Sequence, residues 1–275
     1  MTDEANAAGD FVAAAPAGYG EYEINVERIL RGELPGVLDR IEIAPLNEAA
    51  VDAIPTGAKG AYVLYENGKA VYAGKTDTKH GFRSRLTRHR YTIQHRVGFD
   101  QSVIGFKAVR IMVFSNFDVE AILIKEMRRL DKSALAWNYS GFGSNDPGHN
   151  REKQEPSDFD VERPVNIDKP LEFLDAGETA LLALLIKLKD GLPYYFRYET
   201  DPGKNSKPRK YTVGHIDQRS APTVTVPTGE PTFREVIKII LAALPQGWRV
   251  TVFPGRVILY KEAETYRYAL EYLTA

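Results

Sequence analysis

The stretch GAYVLYENGKAVYAGK, residues 60–75, decides how this chain reads. Two runs rich in β-branched and aromatic residues flank Asn67-Gly68, a strong short-range signal for a β-hairpin. A plain hairpin needs neither Gly60-x-Tyr62 at one end nor Tyr72-x-Gly74-Lys75 at the other. Side chains alternate faces along a strand, so the length of the turn decides which residues meet. A two-residue turn at Asn67-Gly68 pairs Glu66 with Lys69 and Tyr62 with Ala73, and puts Tyr62 and Tyr72 on opposite faces. A three-residue loop, Glu66-Asn67-Gly68 with Gly68 in the left-handed region, pairs Tyr65 with Lys69 and sets Tyr62 across from Tyr72. Only the second gives two phenols a shared site, and the three-residue loop is the expectation.

Charge points the same way. The chain of 275 residues carries a net charge of −1, but residues 60–110 carry +7, against −7 for 1–59, −3 for 111–164 and +2 for 165–275. A positive block that begins at the hairpin suits a polyanionic partner. Cysteine is absent, which excludes disulfides, thiolate zinc sites and cysteine nucleophiles and suits a reducing, cytoplasmic setting. No apolar run approaches the roughly 18 residues of a membrane span, so no membrane is expected. The start, MTDEANAAGD, lacks the basic-then-apolar order of a signal peptide.

The length allows two domains. Residues 1–19 read as a flexible Ala/Gly-rich start, and 20–59 as a segment packing on the core. Within it, 23–36 is a short helix stopped by Pro35 and Gly36, followed by an extended stretch, a short helix and a loop. From 60 the order is β-β-α-β-α. The hairpin is followed by a helix over 80–96, a strand over 103–114 and an amphipathic helix over 117–132, with Asn116 as a candidate cap. Residues 137–159 are dense in Gly, Asn, Asp and Pro and read as a long loop. RPVNIDKP, 163–170, reads as a linker. Beyond it come a helix over 176–189, strands near 194–199, 209–215 and 222–226, a helix over 232–244, a hairpin over 248–261 and a terminal tyrosine-rich helix. The expected fold class is α+β: a core over 60–164 built on a three-stranded antiparallel sheet flanked by helices, and a second α+β domain over 165–275.

The helices carry the next candidates. At 100° per residue, Leu86 and Ile93 fall within about 40° of Phe82 and mark the apolar face of the first helix. His89 lies inside that stripe and Arg85 on its edge, about 60° from Phe82. A buried Arg and His need partners, and a phosphate is a suitable one. In the second helix Val119, Ile122, Leu123, Met127 and Leu130 form the apolar stripe. Glu120 borders it in the first turn, and Glu126 lies about 240° further round, so the two cannot serve one site. A carboxylate beside a phosphate pocket suits a hard divalent cation.

Taken in order, GAY (60–62), YAGK (72–75), RLTRH (85–89), EAILIK (120–125) and WN (137–138) resemble the GIY-YIG nuclease superfamily. The Arg-x-x-x-His spacing and GFGSNDPG (141–148) resemble its restriction-endonuclease branch. Ala61 and Ala73 stand where the family name has isoleucine. The resemblance covers roughly residues 60–160. It implies Mg²⁺-dependent (or Mn²⁺-dependent) hydrolysis of a phosphodiester in double-stranded DNA, with sequence-specific cutting. Glu120 is the implied metal ligand, with Glu126, which restores the common spacing to the Asn, as the alternative. Arg85 is implied to grip the phosphate, Tyr62 to deprotonate or orient water, and His89 to act as the ultimate base. Tyr72 and Lys75 are implied to position phosphate and water, and Asn138 to hold the site together. Arg83, Arg88, Arg90 and Arg96 are expected to track the DNA backbone.

The resemblance does not reach 165–275. The basic loop KNSKPRK (204–210) and the aromatic run YYFRY (194–198) suit either DNA recognition or dimerisation, and a palindromic target would favour a homodimer. The other readings are a structure-specific repair nuclease and a DNA-binding module that has lost catalysis.

Overall fold

The computed structural model describes residues 9–13, 20–24, 26–77, 79–111, 119–143, 151–201 and 210–275. It is an α+β molecule with mostly antiparallel sheets, divided into two compact units: Met1–Arg90 with Asp100–Tyr139, and Tyr91–Phe99 with Ser140–Ala275. Residues 140–164, grouped with the first domain in the sequence reading, cluster with the second unit. The reason is local: Phe159 packs on Phe142 and Phe99, and the Arg96 Nη1 donates to Asp160 at 2.7 Å.

The first unit begins with β1 (Gly9–Ala13) and β2 (Gly20–Ile24), an antiparallel pair where a flexible start was expected. Helix α1 (Val26–Asp39) starts later than the sequence suggested and runs through Pro35. Proline removes one helical hydrogen bond and crowds the preceding turn. The helix survives because Leu34 and Leu38, one turn apart, bury together in the core on the far side of Pro35. Then come β3 (Ala44–Pro45) and α2 (Glu48–Asp52), which Asn47 caps by accepting from the Ala50 N–H at 2.8 Å.

β4 (Gly60–Glu66) and β5 (Lys69–Lys75) form the hairpin, followed by α3 (Phe82–Gln94), β6 (Ile104–Arg110) and α4 (Val119–Leu130). The sheet order is β3-β6-β4-β5, so a fourth short strand joins the expected three. β4 is central and buried on both faces, as its unbroken apolar run requires. Helices cover both sides. Tyr62 on one face meets Phe82 of α3. On the other, Ala61, Val63 and Tyr65 share a cluster with Leu34 and Leu38 of α1 and Leu123 and Ile124 of α4. Leu130, expected in the α4 stripe, is 66% exposed, because the helix ends there and Ile124 takes the core position. Asn116 and the Val119 side chain lie outside the described residues.

The turn corrects one expectation. Asn67 and Gly68 both have positive φ, +50° and +76°, the signature of a two-residue type I′ turn, and Glu66 pairs with Lys69. The three-residue loop is absent. Parity is nevertheless restored two residues later. Tyr65 pairs with Ala70, but Leu64 pairs with Tyr72, so Val71 is an extra residue in a β-bulge. Tyr62 then pairs with Gly74, and Tyr62 and Tyr72 become diagonal neighbours on one face.

The second unit holds α5 (Asp158–Glu162), β7 (Gly177–Thr179), α6 (Leu181–Gly191), β8 (Tyr195–Tyr198), α7 (Ile216–Ser220), β9 (Val224–Val226), α8 (Phe233–Ala243), β10 (Trp248–Phe253), β11 (Arg256–Lys261) and β12 (Glu271–Thr274). The sheet runs β12-β10-β11-β8, with β8 parallel to β11. α6 and α8 pack their leucines, isoleucines and Phe233 on one side of it. A capping box between Thr232 and Glu235 starts α8. Three expectations fail here. The chain ends in strand β12, whose Tyr272 and Leu273 alternate sides, and the stretch near 209–215 contains a 3₁₀ turn, Tyr211–Val213. The 163–170 linker is packed structure: Val165 and Ile167 are buried, the Val165 N–H donates to Pro254 O at 2.8 Å and the Asn166 N–H to His95 O at 2.9 Å. Residues 204–209 of the basic loop lie outside the described residues.

Candidate active site

The two glycines of the opening stretch explain its odd ends. A Cβ on Gly74 would lie 2.6 Å from the Tyr62 Oη and 2.9 Å from the Tyr72 ring. Gly74, directly opposite Tyr62, is the floor on which the phenol lies. A Cβ on Gly60 would meet the Val109 carbonyl oxygen at 2.0 Å, so only glycine lets β4 approach β6 there. The Thr76 N–H donates back to the Gly60 carbonyl at 2.9 Å and closes the open end of the hairpin.

β5 is the sheet's edge, and its outer polar groups are satisfied by the segment after α4. The Leu135 N–H donates to Ala70 O at 3.0 Å and the Trp137 N–H to Val71 O at 2.8 Å. Asn138 then finishes the edge with its side chain, accepting from the Ala73 N–H at 2.8 Å and donating to the Ala73 carbonyl at 3.0 Å. Asn138 therefore fixes the backbone between Tyr72 and Gly74.

Over this floor stands a buried polar chain. The Tyr62 ring lies 6.2 Å from Tyr72 and 5.6 Å from His89, and Phe82 closes it edge-on at 6.4 Å. The Tyr62 Oη is 2.8 Å from His89 Nε2. Tyr62 is 1% exposed and His89 6%, whereas Tyr72 is half-buried. Burial, then the charges of Arg85 and Arg88, push His89 down to about 3. Its imidazole is neutral at ordinary pH, and its Nε2 shares a hydrogen bond with the Tyr62 hydroxyl. Tyr62 is held well above the usual phenol range by burial and then by Tyr72, and Tyr72 is raised by burial and then by Glu120. Both phenols are therefore protonated at rest. A side-chain hydrogen bond also joins the two phenols.

Arg85 borders this chain: its charge acts on Tyr62, Tyr72 and His89. Its buried Nε has no hydrogen-bond partner, and its Nη2 lies 3.9 Å from the Asp77 carboxylate. Asp77 was missed in the sequence. Its carboxylate, held down to about 2 by His80, which donates to it from its ring and its backbone, is the protein's own anion beside Arg85. Glu120, in the first turn of α4, is close enough for its charge to act on both phenols. Glu126 is buried and accepts from Arg129 Nε at 2.8 Å, which favours Glu120 for the site.

Other expected residues are placed differently. Lys75 pairs with Ala61, so strand alternation sends it to the face opposite Tyr62 and Tyr72. Arg88 is exposed and close to Tyr72 and His89. Arg83 donates from Nε to Ile54 O at 2.6 Å, and Arg90 faces Glu48 at 3.6 Å. Arg96 belongs to the second unit, where Asp160, Arg163 O and Pro254 O take its donors, so it is a structural residue there rather than a backbone tracker. Among the described residues no group of three or more His, Asp or Glu is placed to cage a metal ion. No helix among them is long and apolar enough to cross a membrane. No protein-family model matches the chain, and no curated protein matches it.

Proposed function

We propose that the first unit is a divalent-metal-assisted nuclease that hydrolyses phosphodiester bonds of DNA, of the GIY-YIG type that its motifs resemble. The observation that carries this reading is the convergence of Tyr62, Tyr72, His89, Arg85 and Glu120, from two strands and two helices, with a neutral imidazole at the end of a phenol chain.

The chain of groups is a proton path. Tyr62 is closed to solvent, so the phenol that touches the attacking water is Tyr72. As water loses its proton to the Tyr72 oxygen, the Tyr72 proton passes to Tyr62 and the Tyr62 proton to His89 Nε2. No phenolate is stored beforehand, which the raised Tyr62 and Tyr72 values disfavour. The imidazolium formed at the end sits among cationic neighbours, Arg85 and Arg88. The anionic phosphate that Arg85 grips offsets that charge. The unpaired Nε and the Nη2 give Arg85 the planar fork that a phosphate oxygen pair accepts.

Glu120 fits a Mg²⁺ or Mn²⁺ ion, because Mg²⁺ takes one or two carboxylates and completes its shell with substrate phosphate and water. When bound, such an ion neutralises charge developing on the phosphate and leaving oxygen. Exposed Arg88 suits a DNA backbone contact. Sequence-specific restriction cutting rests on the motif resemblance, and so does a homodimer on a palindromic site.

The test is cleavage of unmethylated phage and plasmid DNA with Mg²⁺ and with EDTA. Discrete bands that need the metal and disappear in Glu120→Ala but persist in Glu126→Ala are the expected result. DNA retention without any cleavage, in every metal and on branched substrates, would move the reading to a binding module.

A further inference from the structure

Tyr139 follows Asn138 directly, and nothing in the relay uses it. It is 81% exposed, the most exposed large hydrophobic side chain among the described residues. Its φ is +70°, a left-handed conformation that a bulky residue rarely adopts. An exposed ring gains little from burial, so its own packing does not explain the strain. The backbone around it is held from outside. Arg128 of α4 donates from Nη2 to Leu135 O and to Asn138 O, each at 3.2 Å. The same guanidinium lies over the Tyr139 ring, 5.1 Å from its centroid. Asn138, one residue before, is tied to Ala73 between Tyr72 and Gly74. A ring on a restrained backbone, with a fixed guanidinium on it, is thus tethered to the strand that carries the relay.

We propose that Tyr139 and Arg128 form a stacking platform for a nucleobase that has left the duplex stack beside the phosphate being cut. This rests on the nuclease reading above and adds to it the part of the substrate that this surface takes. Tyrosine offers a flat apolar face to any base, and stacking of this kind is tolerant of sequence. The guanidinium supports the ring from the other side and adds positive charge next to the backbone. The unstacking that the DNA must undergo costs a few kcal/mol, and the platform offsets part of it.

The experiment measures binding in EDTA, where no cutting occurs, of two labelled probes: a continuous duplex and the same duplex with one unpaired base. Tyr139→Gly should weaken binding of the unpaired-base probe by about 5- to 150-fold, and of the continuous duplex by less. Tyr139→Phe keeps the ring and should stay within about twofold of the parent. The salt dependence should not change, because a stacked ring neutralises no phosphate. Glycine relieves the left-handed backbone, so the Tm of Tyr139→Gly should not fall. Unchanged binding by Tyr139→Gly overturns the platform, as do equal losses in Phe and Gly or a Tm that falls along with affinity. If the unsubstituted protein retains neither probe in a salt-sensitive way, the nuclease reading itself goes, and the platform with it.

Discussion

Tyr62 and Tyr65 stand three residues apart on β4 and face opposite sides of the same sheet. Both are buried and both are raised by that burial, yet their surroundings differ. Tyr62 lies against a glycine, a second phenol and an imidazole, with cationic Arg85 at the border. Tyr65 lies among leucines and valines, with Lys107 over its ring at 5.4 Å. Beside Tyr65 a cavity of about 450 Å³ is lined by Lys69 and Lys107 but also by Asp39 and Asp131, so its charges cancel. The difference is not one of residue type or depth. It comes from what meets each hydroxyl: α3 brings the His89 imidazole within hydrogen-bond reach of Tyr62, whereas the ring of Tyr65 packs among alkyl side chains with the charge of Asp39 nearby. A tyrosine is a proton carrier only where another group can take the proton.

The sharpest break of that comparison is in activity. Tyr62→Phe, Tyr72→Phe and His89→Ala should each lower the cleavage rate by about 10²- to 10⁴-fold, since each interrupts one proton path. The double variant Tyr62→Phe/Tyr72→Phe should be little worse than either alone, because residues acting as one unit are not additive. Tyr65→Phe should leave the rate unchanged. Single-turnover rates at saturating DNA decide it; additive losses for the two phenols would show two separate roles.

The same face should be acid-sensitive. His89 is lowered from 6.5 to about 3 in the fold, so the unfolded chain binds the proton first as pH falls. Stability is fully present above about 6.5 and drains away toward pH 3, by about 1.4 kcal/mol per pH unit at most and several kcal/mol in total. His95, in the second unit, is lowered too, so the readout is a difference: His89→Gln should flatten the urea-unfolding slope over this window relative to the parent. Equal slopes would mean that water reaches His89.

How much of this the sequence could tell follows from which interactions are local. Asn67-Gly68, the apolar run of β4 and the 3.6-residue spacing of Phe82, Leu86, His89 and Ile93 are short-range patterns, and they placed the hairpin, α3 and two members of the proposed relay. The bulge at Val71 has no local signal: a single valine inside KAVYAGK reads as an ordinary strand residue. It is set by the hydrogen bonds from Leu135, Trp137 and Asn138, more than sixty residues away. Two errors cancelled there: a wrong turn length and an unseen extra residue together gave the right face for Tyr72, while Lys75, three residues further along the same strand, falls on the other face by plain alternation. Arg96 was misread for a similar reason, since its partner Asp160 is distant in sequence. The strand at the chain's end was misread because its pairing with β10 is not visible in a tyrosine-rich run.

Asn138 makes that long-range control testable. Asn138→Ala leaves the Ala73 N–H and carbonyl without their partners at a buried edge, which should cost about 2–4 kcal/mol. Loss of activity should exceed what the remaining folded fraction explains, because the backbone between Tyr72 and Gly74 is released. Asn138→Asp keeps the acceptor for Ala73 N–H and loses the donor to Ala73 O, so it should fall between the two. A variant that unfolds more easily yet cuts at the parent's rate per folded molecule would separate the edge from the site.

The smallest effect belongs to one methyl group. Gly74→Ala puts a Cβ within 2.6 Å of the Tyr62 Oη, and the neighbours are a closed ring stack rather than a flexible tip. The overpacking should cost about 1–3 kcal/mol. It should also lift the phenol off its floor and lengthen the 2.8 Å hydrogen bond to His89. That second effect distinguishes the two faces. On the Tyr65 side Ala73, one residue earlier, already carries its methyl in a packed core. Ala73→Gly there should cost about 1 kcal/mol through backbone entropy and a lost methyl, and leave the relay intact. So the exchange of one methyl between neighbouring positions should damage stability to similar degrees and catalysis very unequally. Gly74→Ala acting on stability alone would mean that the glycine serves only close packing, and that the proton path does not depend on where Tyr62 lies.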